Sequence, residues 1–283
     1  MLGQALAQEF ADEQLTAWDR EDVDITDADQ ILEKVAVLRA AWGSIDVIIN
    51  AAAYTAVDAA EAAREEALAV NGQGVANIAA AAKKVGATMV HYSTDYVFSG
   101  EQATGYAEDD VPDQPVNVYG ESKLAGEVAL RESGVPFYLV RTAWLYGPGG
   151  KNFVDTMLRL GAERPELKVI YDQQGSPTYT RDVAAATRTL LENHEPGIYH
   201  LTNSGTASWY EFAVTIFKLA GMAVTVTPIT SAEYPLPATR PRFSALHNTK
   251  GPTLRDWREA LAEYLAEKLK IQNSPVKTEP GSE

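Results

Sequence analysis

The sequence predicts an α/β fold in which helices cover both faces of a doubly wound parallel sheet. Apolar strand-like runs alternate along the chain with helical stretches of roughly ten residues or more, which is the pattern of βαβ units joined by right-handed crossovers. Residues 45–50 form a nearly continuous β-branched run, as expected for a strand buried on both faces. Polar segments follow several of these runs, which predicts a ligand crevice.

The elements of the first half follow from local signals. Residues 1–7 predict a helix with no strand before it, and residues 15–18 predict a short strand that ends at Asp19. Residues 24–27 predict a turn with a helix N-cap. The other predicted elements of this half are a helix to about residue 41, strands at 45–50, 87–93 and 137–141, one long alanine-rich helix at 61–85, and a helix that begins near Tyr119.

The second half is less regular. Residues 234–241 are rich in proline and predict a loop. The polar residues 272–283 include two prolines and predict a disordered tail. The other predicted elements are helices at 153–162, 182–192, 209–220 and 254–269, with strands at 168–171, 198–201 and 224–227.

Composition narrows the class of protein. Of 283 residues, 46% are hydrophobic, so the chain can bury a large core. A net charge of -15 disfavours nucleic-acid polymers and anionic membranes as partners, since both attract basic surfaces. The absence of cysteine excludes disulfides and thiolate chemistry, and the 4 histidines lack the spacing of a zinc site. With no apolar run of roughly 18 residues and no signal pattern, we expect a cytoplasmic protein.

Three polar segments end predicted strands, at residues 50–54, 94–96 and 142–146. In open parallel sheets, ligands bind outside the carboxyl ends of the strands. We therefore expect the three segments to open onto one crevice.

A tyrosine and a lysine lie four residues apart, as Tyr119 and Lys123, near the start of a predicted helix. This spacing places both side chains on one helical face. A neighbouring cation favours the phenolate and lowers the pKa of tyrosine from about 10, so the pair suits proton donation to a reduced carbonyl. The same spacing is frequent on surface helices, which leaves a purely structural role open.

Longer motifs surround this pair. They are NAAAYTAVDAAE at 50–61, HYSTDYVFSG at 91–100, NVYGESKLAGE at 117–127, RTAWLYGPGGKNFVDTML at 141–158, DQQGSPTY at 172–179, GIYHLTNSG at 197–205 and RPRFSAL at 240–246. Together they resemble the extended short-chain dehydrogenase/reductases, and within them the dTDP-4-dehydrorhamnose reductase family. The resemblance covers most of the chain, and the pairing of STDYVF with YGxxKLxGE is specific to this branch.

The resemblance implies a two-part organisation. An NAD(P)-binding Rossmann-like domain would span 1–146, with 177–203 and 252–271 packed on it. A smaller substrate-binding lobe would comprise 147–176 and 204–251.

The resemblance also implies a reaction and its catalytic residues. The family reduces a C4 ketone of a nucleotide-linked deoxysugar with a hydride from NADPH or NADH. Tyr119 would protonate the developing alkoxide, Lys123 would lower the Tyr119 pKa and hold the nicotinamide ribose, and Thr94 would hydrogen-bond the same oxygen. The candidate substrate-binding residues are Thr94, Asp95, Tyr96, Trp144 and Arg240, the last for the nucleotide-sugar phosphates.

Candidate cofactor residues lie near the predicted strand ends. Asp19 would bind the adenosine ribose hydroxyls, and Arg20 beside it would meet a 2′-phosphate, so the pair indicates tolerance of both NADPH and NADH. Small side chains after residues 45–50 would let the dinucleotide approach the backbone. The full candidate set is Gly3, Asp19, Arg20, Asp24, Ile25, Ala51, Ala52, Ala53, Tyr54, Asn71, Tyr92, Tyr119 and Lys123.

The chain departs from the family pattern at its start. The family opens with a strand and Gly-x-x-Gly-x-x-Gly, and here only the last glycine is matched, by Gly3. We therefore expect a sheet without its first strand and a phosphate loop without its early glycines. Two explanations are open. Either the start of the protein was assigned at an internal methionine, which we favour, or the chain has truly lost the first strand and the early glycines. Some family members place a glutamate of a metal-bridged dimer near Ala5, so no metal is carried over.

The predicted function is thus NADPH-dependent reduction of dTDP-4-dehydro-L-rhamnose to dTDP-L-rhamnose. Two alternatives stay open: a reductase of another nucleotide-linked 4-ketosugar, and a non-catalytic regulatory subunit of the kind this fold supplies to methionine adenosyltransferase. The expected partner is a nucleotide sugar, and a homodimer is left open.

Overall fold

The structure, a computed structural model, describes residues 1–272. The tail predicted at 272–283 lies, from residue 273 on, outside the described residues. No helix of the described part combines the length and apolar character needed to cross a membrane. The α-helices within residues 1–272 are α1 (Leu2–Glu9), α2 (Ala28–Trp42), α3 (Val57–Ala60), α4 (Arg64–Leu68), α5 (Gly74–Val85), α6 (Val118–Glu132), α7 (Phe153–Glu163), α8 (Thr180–Asn193), α9 (Trp209–Ala220) and α10 (Trp257–Gln272).

The strands follow the alternation that the sequence predicts. They are β1 (Val47–Asn50), β2 (Thr88–Thr94), β3 (Phe137–Thr142), β4 (Leu145–Tyr146), β5 (Glu166–Ile170), β6 (Gln174–Gly175), β7 (Thr178–Tyr179), β8 (Gly197–His200), β9 (Ala207–Ser208) and β10 (Thr225–Ile229). The main sheet is parallel with the order β1-β2-β3-β8. Three two-stranded sheets pair β10 with β5, β4 with β7, and β6 with β9.

Both faces of the main sheet are covered, because successive side chains of a strand point to opposite faces. Met89 and Leu139 pack into an apolar cluster with α2, α5 and α6. Val90 and Val140 pack into a second cluster with α1 and α8 on the other face. This arrangement is the predicted doubly wound fold, and it leaves the strand ends free to build a site.

A further apolar cluster lies among the elements that follow β3. Tyr146, Val154, Phe212 and Trp257 are fully buried in it, so it joins α7, α9 and α10 around the small sheets. The irregular pattern of the second half therefore folds into a core of its own, dominated by aromatic side chains.

The strand predicted at residues 15–18 is wrong. These residues form no strand, and Leu15 and Trp18 are 44% and 37% exposed. Within residues 1–272, β1 pairs with β2 and with no other strand, so residues 15–18 have no neighbouring ladder. Backbone groups without a ladder partner are satisfied by water, which favours an irregular surface segment.

The helix predicted at 61–85 is confirmed over residues 64–85, which are helical without interruption. It consists of α4 and α5, with a π-helical turn at Ala69–Gln73 between them that the sequence did not predict. π-helical turns are rare and concentrate at functional sites because they redirect a side chain. Here the turn carries Asn71, which is 1% exposed.

Candidate active site

Three polar segments follow neighbouring strands at one edge of the main sheet. β1, β2 and β3 pair in parallel, so residues 51–54, 95–97 and 143–146 leave the sheet on the same side. At the end of β2, Thr94 Oγ1 accepts a 3.2 Å hydrogen bond from Tyr96 N and so caps the 3₁₀ turn Asp95–Val97. The three segments therefore lie at one edge of the sheet, as the sequence predicts.

Helix α6 begins beside this edge with a firmly held first turn. Asn117 caps it, since its Oδ1 accepts from Gly120 N at 2.8 Å. Glu61 Oε1 accepts from Val118 N at 3.0 Å, a favourable place for a carboxylate at a helix N-terminus. Gly120 packs so closely that a Cβ there would lie 2.2 Å from Tyr96 O. These contacts fix the position of Tyr119.

Lys123 lies one turn further along the same face of α6 and is 2% exposed. Its Nζ donates a 2.6 Å hydrogen bond to Tyr92 O. Burial lowers the pKa of Lys123 to about 8, while the nearby Glu127 carboxylate acts in the opposite direction. The ammonium group is thus held close to the pH range in which it can lose its charge.

Tyr119 lies against the end of β2. Its ring meets the Tyr96 ring edge-to-face at 5.7 Å. Burial raises the pKa of Tyr119 to about 12; a hydrogen bond with the Thr94 side chain lowers it, and the Asp95 charge raises it further. This direction is opposite to the one predicted from the Tyr–Lys spacing, because burial outweighs any effect of Lys123. Tyr119 is therefore protonated at neutral pH and can serve as an acid.

Asp95 is a buried carboxyl group next to this tyrosine. It is 2% exposed, its Oδ1 accepts from Thr94 Oγ1 at 2.9 Å, and its Oδ2 has no hydrogen-bond partner among residues 1–272. Burial raises the pKa of Asp95 to about 7 against the opposing effect of its hydrogen bonds. An acid and a neutral tyrosine thus lie on either side of the Thr94 hydroxyl.

Asn71 ties the site to the segment after β1. Its Oδ1 accepts from Tyr54 N at 2.8 Å, and its Nδ2 donates to Tyr54 O at 3.0 Å and to Ser122 Oγ at 2.9 Å. Ser122 Oγ in turn donates to Tyr119 O at 2.8 Å. Sequence reasoning missed Ser122, although its position between Tyr119 and Lys123 in the motif was a usable signal.

The segment after β1 offers a small, open surface beside α1. Ala51 and Ala52 are exposed, and Ala53 and Tyr54 are half-buried. A Cβ on Gly3 would lie 3.8 Å from the Ala51 side chain, so the first turn of α1 adjoins these alanines. Gly3 and Ala51 therefore lie next to each other and form part of a surface of small side chains.

The four predicted adenosine-side residues lie apart on the loop between α1 and α2. Asp19 and Arg20 are exposed, and Asp19 Oδ1 accepts from Glu21 N at 2.8 Å. Hydrogen bonds from Thr26 lower the pKa of the Asp24 carboxyl. Ile25 is half-buried, and its carbonyl accepts from Asn77 Nδ2 at 3.0 Å. These contacts shape the loop itself and do not link it to the tyrosine.

Tyr92 reaches the site through its backbone alone. Its hydroxyl lies 2.6 Å from Thr187 Oγ1 on α8, in the opposite face of the sheet, and burial raises its pKa. Its carbonyl oxygen receives the Lys123 hydrogen bond.

The remaining two candidates flank the crevice. Trp144 has a φ of 45°, a left-handed backbone conformation that is rare for a bulky residue, and it stacks on Trp209 with ring centroids 3.4 Å apart. Arg240 makes a two-pronged ion pair with Asp58, with N–O distances of 2.6 and 2.7 Å. Sequence reasoning missed Asp58, since nothing local relates two residues 182 positions apart.

A doubly wound sheet with threonine, tyrosine and lysine at its carboxyl edge is the arrangement of a dehydrogenase/reductase. The RmlD substrate binding domain family matches residues 1–270. A dTDP-4-dehydrorhamnose reductase of Burkholderia thailandensis is 45% identical over 238 residues, covering 76% of this chain and 80% of the relative. One of Mycolicibacterium smegmatis is 42% identical over 277 residues, covering 94% and 82%.

Solved structures agree with these relatives. A Bacillus anthracis dTDP-4-dehydrorhamnose reductase in complex with NADP superposes with a TM-score of 0.89 at 40% identity, covering 94% of this chain and 95% of that one. A Clostridium acetobutylicum structure described by the same name gives 0.88 at 40% identity, covering 95% and 96%. The chain belongs to the dTDP-4-dehydrorhamnose reductase family.

Proposed function

We propose that this chain catalyses the NADPH-dependent reduction of dTDP-4-dehydro-L-rhamnose to dTDP-L-rhamnose. The observation that carries the proposal is the convergence of Thr94, Tyr119 and Lys123 at the carboxyl edge of the sheet, with Lys123 buried and bonded to Tyr92 O. Membership of the reductase family supports the choice of substrate.

The residues at the nicotinamide side fit a dinucleotide. Lys123 and Tyr119 share one face of α6, and the exposed Ala51 and Ala52 leave the backbone after β1 accessible beside Gly3. When bound, NADPH supplies a hydride to the ketone carbon. We assign its adenosine side to the loop that carries Asp19 and Arg20. The complete proposed cofactor set is Gly3, Asp19, Arg20, Asp24, Ile25, Ala51, Ala52, Ala53, Tyr54, Asn71, Tyr92, Tyr119 and Lys123, and NADH would serve as a weaker substitute.

Tyr119 supplies the proton. Its raised pKa keeps the phenol neutral until an alkoxide of higher basicity forms beside it. The Thr94 hydroxyl stabilises the oxygen on which charge develops. The Lys123 ammonium, buried on the same face of α6, favours the tyrosinate left behind. Asn71 and Ser122 hold Tyr119 and Tyr54 in place around it.

Substrate recognition falls to the residues around this centre. Tyr96 and Asp95 lie directly beside Thr94, where a sugar ring would sit. Trp144, braced by Trp209, offers an aromatic wall. Arg240 is a guanidinium suited to phosphate oxygens, which would replace Asp58 as its partner. We further propose that the enzyme is cytoplasmic. We also propose the division into a cofactor domain (1–146) and a substrate lobe (147–176 and 204–251). A homodimer stays a prediction.

The test is NADPH oxidation by the purified chain with dTDP-4-dehydro-L-rhamnose. We expect Tyr119→Phe to lower kcat by roughly 10²- to 10⁴-fold, because it removes the proton donor but keeps the ring. Tyr171→Phe is the matched control, since Tyr171 is 49% exposed and remote from α6 in sequence. Full activity in Tyr119→Phe would refute the role of the tyrosine. A wild-type chain that oxidises NADPH only with a different 4-ketosugar nucleotide would refute the proposed substrate.

A further inference from the structure

The Thr94 hydroxyl has more neighbours than one orientation can serve. A hydroxyl has one hydrogen to donate and two lone pairs to accept. Thr94 Oγ1 lies 2.9 Å from Asp95 Oδ1, accepts from Tyr96 N at 3.2 Å, and hydrogen-bonds the Tyr119 hydroxyl. Because Tyr96 N can only donate, one lone pair is always occupied, and the other lone pair and the hydrogen must be divided between Asp95 and Tyr119.

An ionised Asp95 permits only one arrangement of these hydrogen bonds. A carboxylate only accepts, so Thr94 must give it its hydrogen. The remaining lone pair of Thr94 then accepts from Tyr119, which directs the only proton of Tyr119 toward Thr94 and away from a substrate. This arrangement satisfies every group but withholds the acid.

A protonated Asp95 permits the reverse arrangement, in which the carboxyl group donates and Thr94 accepts. Its hydroxyl donates to Thr94, whose two lone pairs are then occupied by Asp95 and Tyr96 N. The Thr94 hydrogen turns to the Tyr119 oxygen, and the Tyr119 proton is free to point into the crevice.

We propose that Asp95, in its protonated form, is a positioning residue that turns Thr94 and thereby aims the proton of Tyr119 at the substrate ketone. The inference rests on the proposed reductase function. In the reaction, the Tyr119 O–H bond breaks as the proton passes to the alkoxide formed by hydride addition. The tyrosinate keeps the hydrogen bond from Thr94, and Asp95 keeps its proton, so no further reactant is needed.

The surroundings of Asp95 favour the neutral acid. It is 2% exposed, and its Oδ2 has no partner among the described residues, which is a costly state for a charged carboxylate. The titratable groups that face it are Tyr96 and Tyr119, both neutral, with Lys123 further along α6 and Arg240 beyond Tyr96. The Ser244 and Thr94 side chains and the backbone of Asp95 and Tyr96 lower the pKa of Asp95, but burial outweighs them.

Two substitutions separate this role from simple substrate contact. The amide of Asp95→Asn can donate to Thr94 at every pH, whereas Asp95→Ala can neither donate nor accept. From pH 6 to pH 8, we expect kcat/KM of the wild type to fall at least about tenfold as Asp95 ionises. We expect kcat/KM of Asp95→Asn to fall only about twofold over this range, because Lys123 alone loses charge. We expect kcat/KM of Asp95→Ala to stay low at every pH. The exposed Asp113→Asn serves as a control with the wild-type profile.

A double-mutant cycle tests whether Asp95 acts through Thr94. In a Thr94→Val background, the difference between aspartate and asparagine at position 95 should vanish, since no hydroxyl is left to turn. A pH profile of Asp95→Asn that parallels the wild type, or equal activities of the asparagine and alanine variants, would overturn the proposal.

A stability measurement detects the ionisation of Asp95 independently of the reaction. The raised pKa means that wild-type stability from this group is full below about pH 4 and is lost as pH rises through about 7. The thermal midpoint of Asp95→Asn should therefore rise relative to that of the wild type as pH increases from 5 to 8. A constant difference would overturn the proposal even if no reductase activity were found, which separates its failure from that of the proposed function.

Discussion

Lys123 is a buried charged group on the same face of α6 as Tyr119, the proposed proton donor. One carbonyl acceptor, Tyr92 O, and near-complete burial leave its ammonium poorly compensated. The consequence is a pKa of about 8, far below the ordinary value for lysine. A lysine of this kind supports a neighbouring tyrosinate only while it holds its proton.

We expect the activity of Asp95→Asn to decline as pH rises through about 8, because Lys123 loses its charge there. The sign follows from the protonated form being the useful one: activity is full below the Lys123 pKa and lost above it. The measurement is kcat/KM from pH 6 to pH 9.5 in this variant, where Asp95 does not titrate. A flat profile up to pH 9.5 would show that the lysine keeps its proton and that its burial is compensated by the bound ligands.

Residue identities at the centre could be predicted from the sequence, but their protonation could not. The spacing of Tyr119 and Lys123 and the motif around Thr94 pointed to side chains that the structure brings together. The direction of the Tyr119 pKa shift depends on burial by β2 and the Tyr96 ring, which no local pattern records. Charge states are therefore a property of the fold.

At the scale of elements, the contact between α6 and the π-helical turn holds the site together. A Cβ on Gly126 would lie 2.2 Å from Asn71 O and 3.1 Å from Val75 Cγ2. The first of these neighbours is backbone and cannot yield. Glycine at this position lets α6 approach the turn closely enough for Asn71 to reach both Tyr54 and Ser122.

Gly126→Ala should destabilise the chain by about 1–3 kcal/mol, because the added methyl group overpacks this contact. It should also lower kcat by displacing Asn71 and Ser122, with chemical denaturation and steady-state kinetics as the measurements. Gly197→Ala is the control, since the nearest atom to a Cβ there is 3.6 Å away and the position lies on β8. Equal stability of the two variants would contradict the packing argument.

A buried ion pair joins the same helix to the sheet. Arg141 on β3 holds both carboxylate oxygens of Glu127 on α6, at 3.0 and 2.8 Å, and the two side chains are 1% and 0% exposed. The guanidinium also lies 5.1 Å from the centre of the Phe98 ring. The pair fixes α6 against β3 one turn beyond Lys123.

Arg141→Met should cost about 3–5 kcal/mol of unfolding free energy, because it leaves the Glu127 carboxylate buried without its partner. The double variant Arg141→Met/Glu127→Leu should recover most of that loss, since no uncompensated charge remains. Urea unfolding of both variants is the measurement. A double variant that is less stable than the single one would contradict this argument, because it would show that the unpaired Glu127 carboxylate is not the source of the loss.

The elements themselves were predicted well where periodicity was long, and local details were missed where contacts distant in sequence decide them. Helices α2, α6 and α9 follow from local caps and apolar spacing, and their caps are formed by Asp27, Asn117 and Ser208 as side-chain acceptors. The π-helical turn inside the helix at 64–85 carries Asn71, which bonds to the backbone of Tyr54 outside that helix. Alanine-rich composition gives no signal of such a turn.

At the scale of the whole molecule, one ion pair joins the segment after β1 to the proline-rich loop at 234–241. Asp58 belongs to α3, which follows the first crevice segment, and Arg240 belongs to the proline-rich loop at 234–241. Asp58 Oδ1 also accepts from Ala238 N at 3.1 Å, and Asn117 Nδ2 donates to Thr239 O at 2.7 Å. The loop is thus fastened both to α3 and to the cap of α6, a link between distant parts of the chain that sequence alone cannot reveal.

Asp58→Ala should release this loop while leaving the sheet intact. Two charge-assisted hydrogen bonds to Arg240 and the acceptor of the Ala238 N–H disappear, so amide hydrogen exchange at 238–240 should quicken about tenfold or more. Because Arg240 then lacks its partner, the KM for the nucleotide sugar should change while the affinity for NADPH does not.

The matched control is Glu163→Ala, which removes an exposed ion pair with Arg159 inside α7. Such surface pairs contribute little, so amide exchange at 238–240 should stay as in the wild type. Unchanged exchange in Asp58→Ala as well would mean that the hydrogen bond from Asn117 alone fastens the loop, and the fastening role would then pass from the ion pair to the cap of α6. A rise confined to 57–60 would mean instead that Asp58 steadies its own short helix, since the loop would have kept its other anchor.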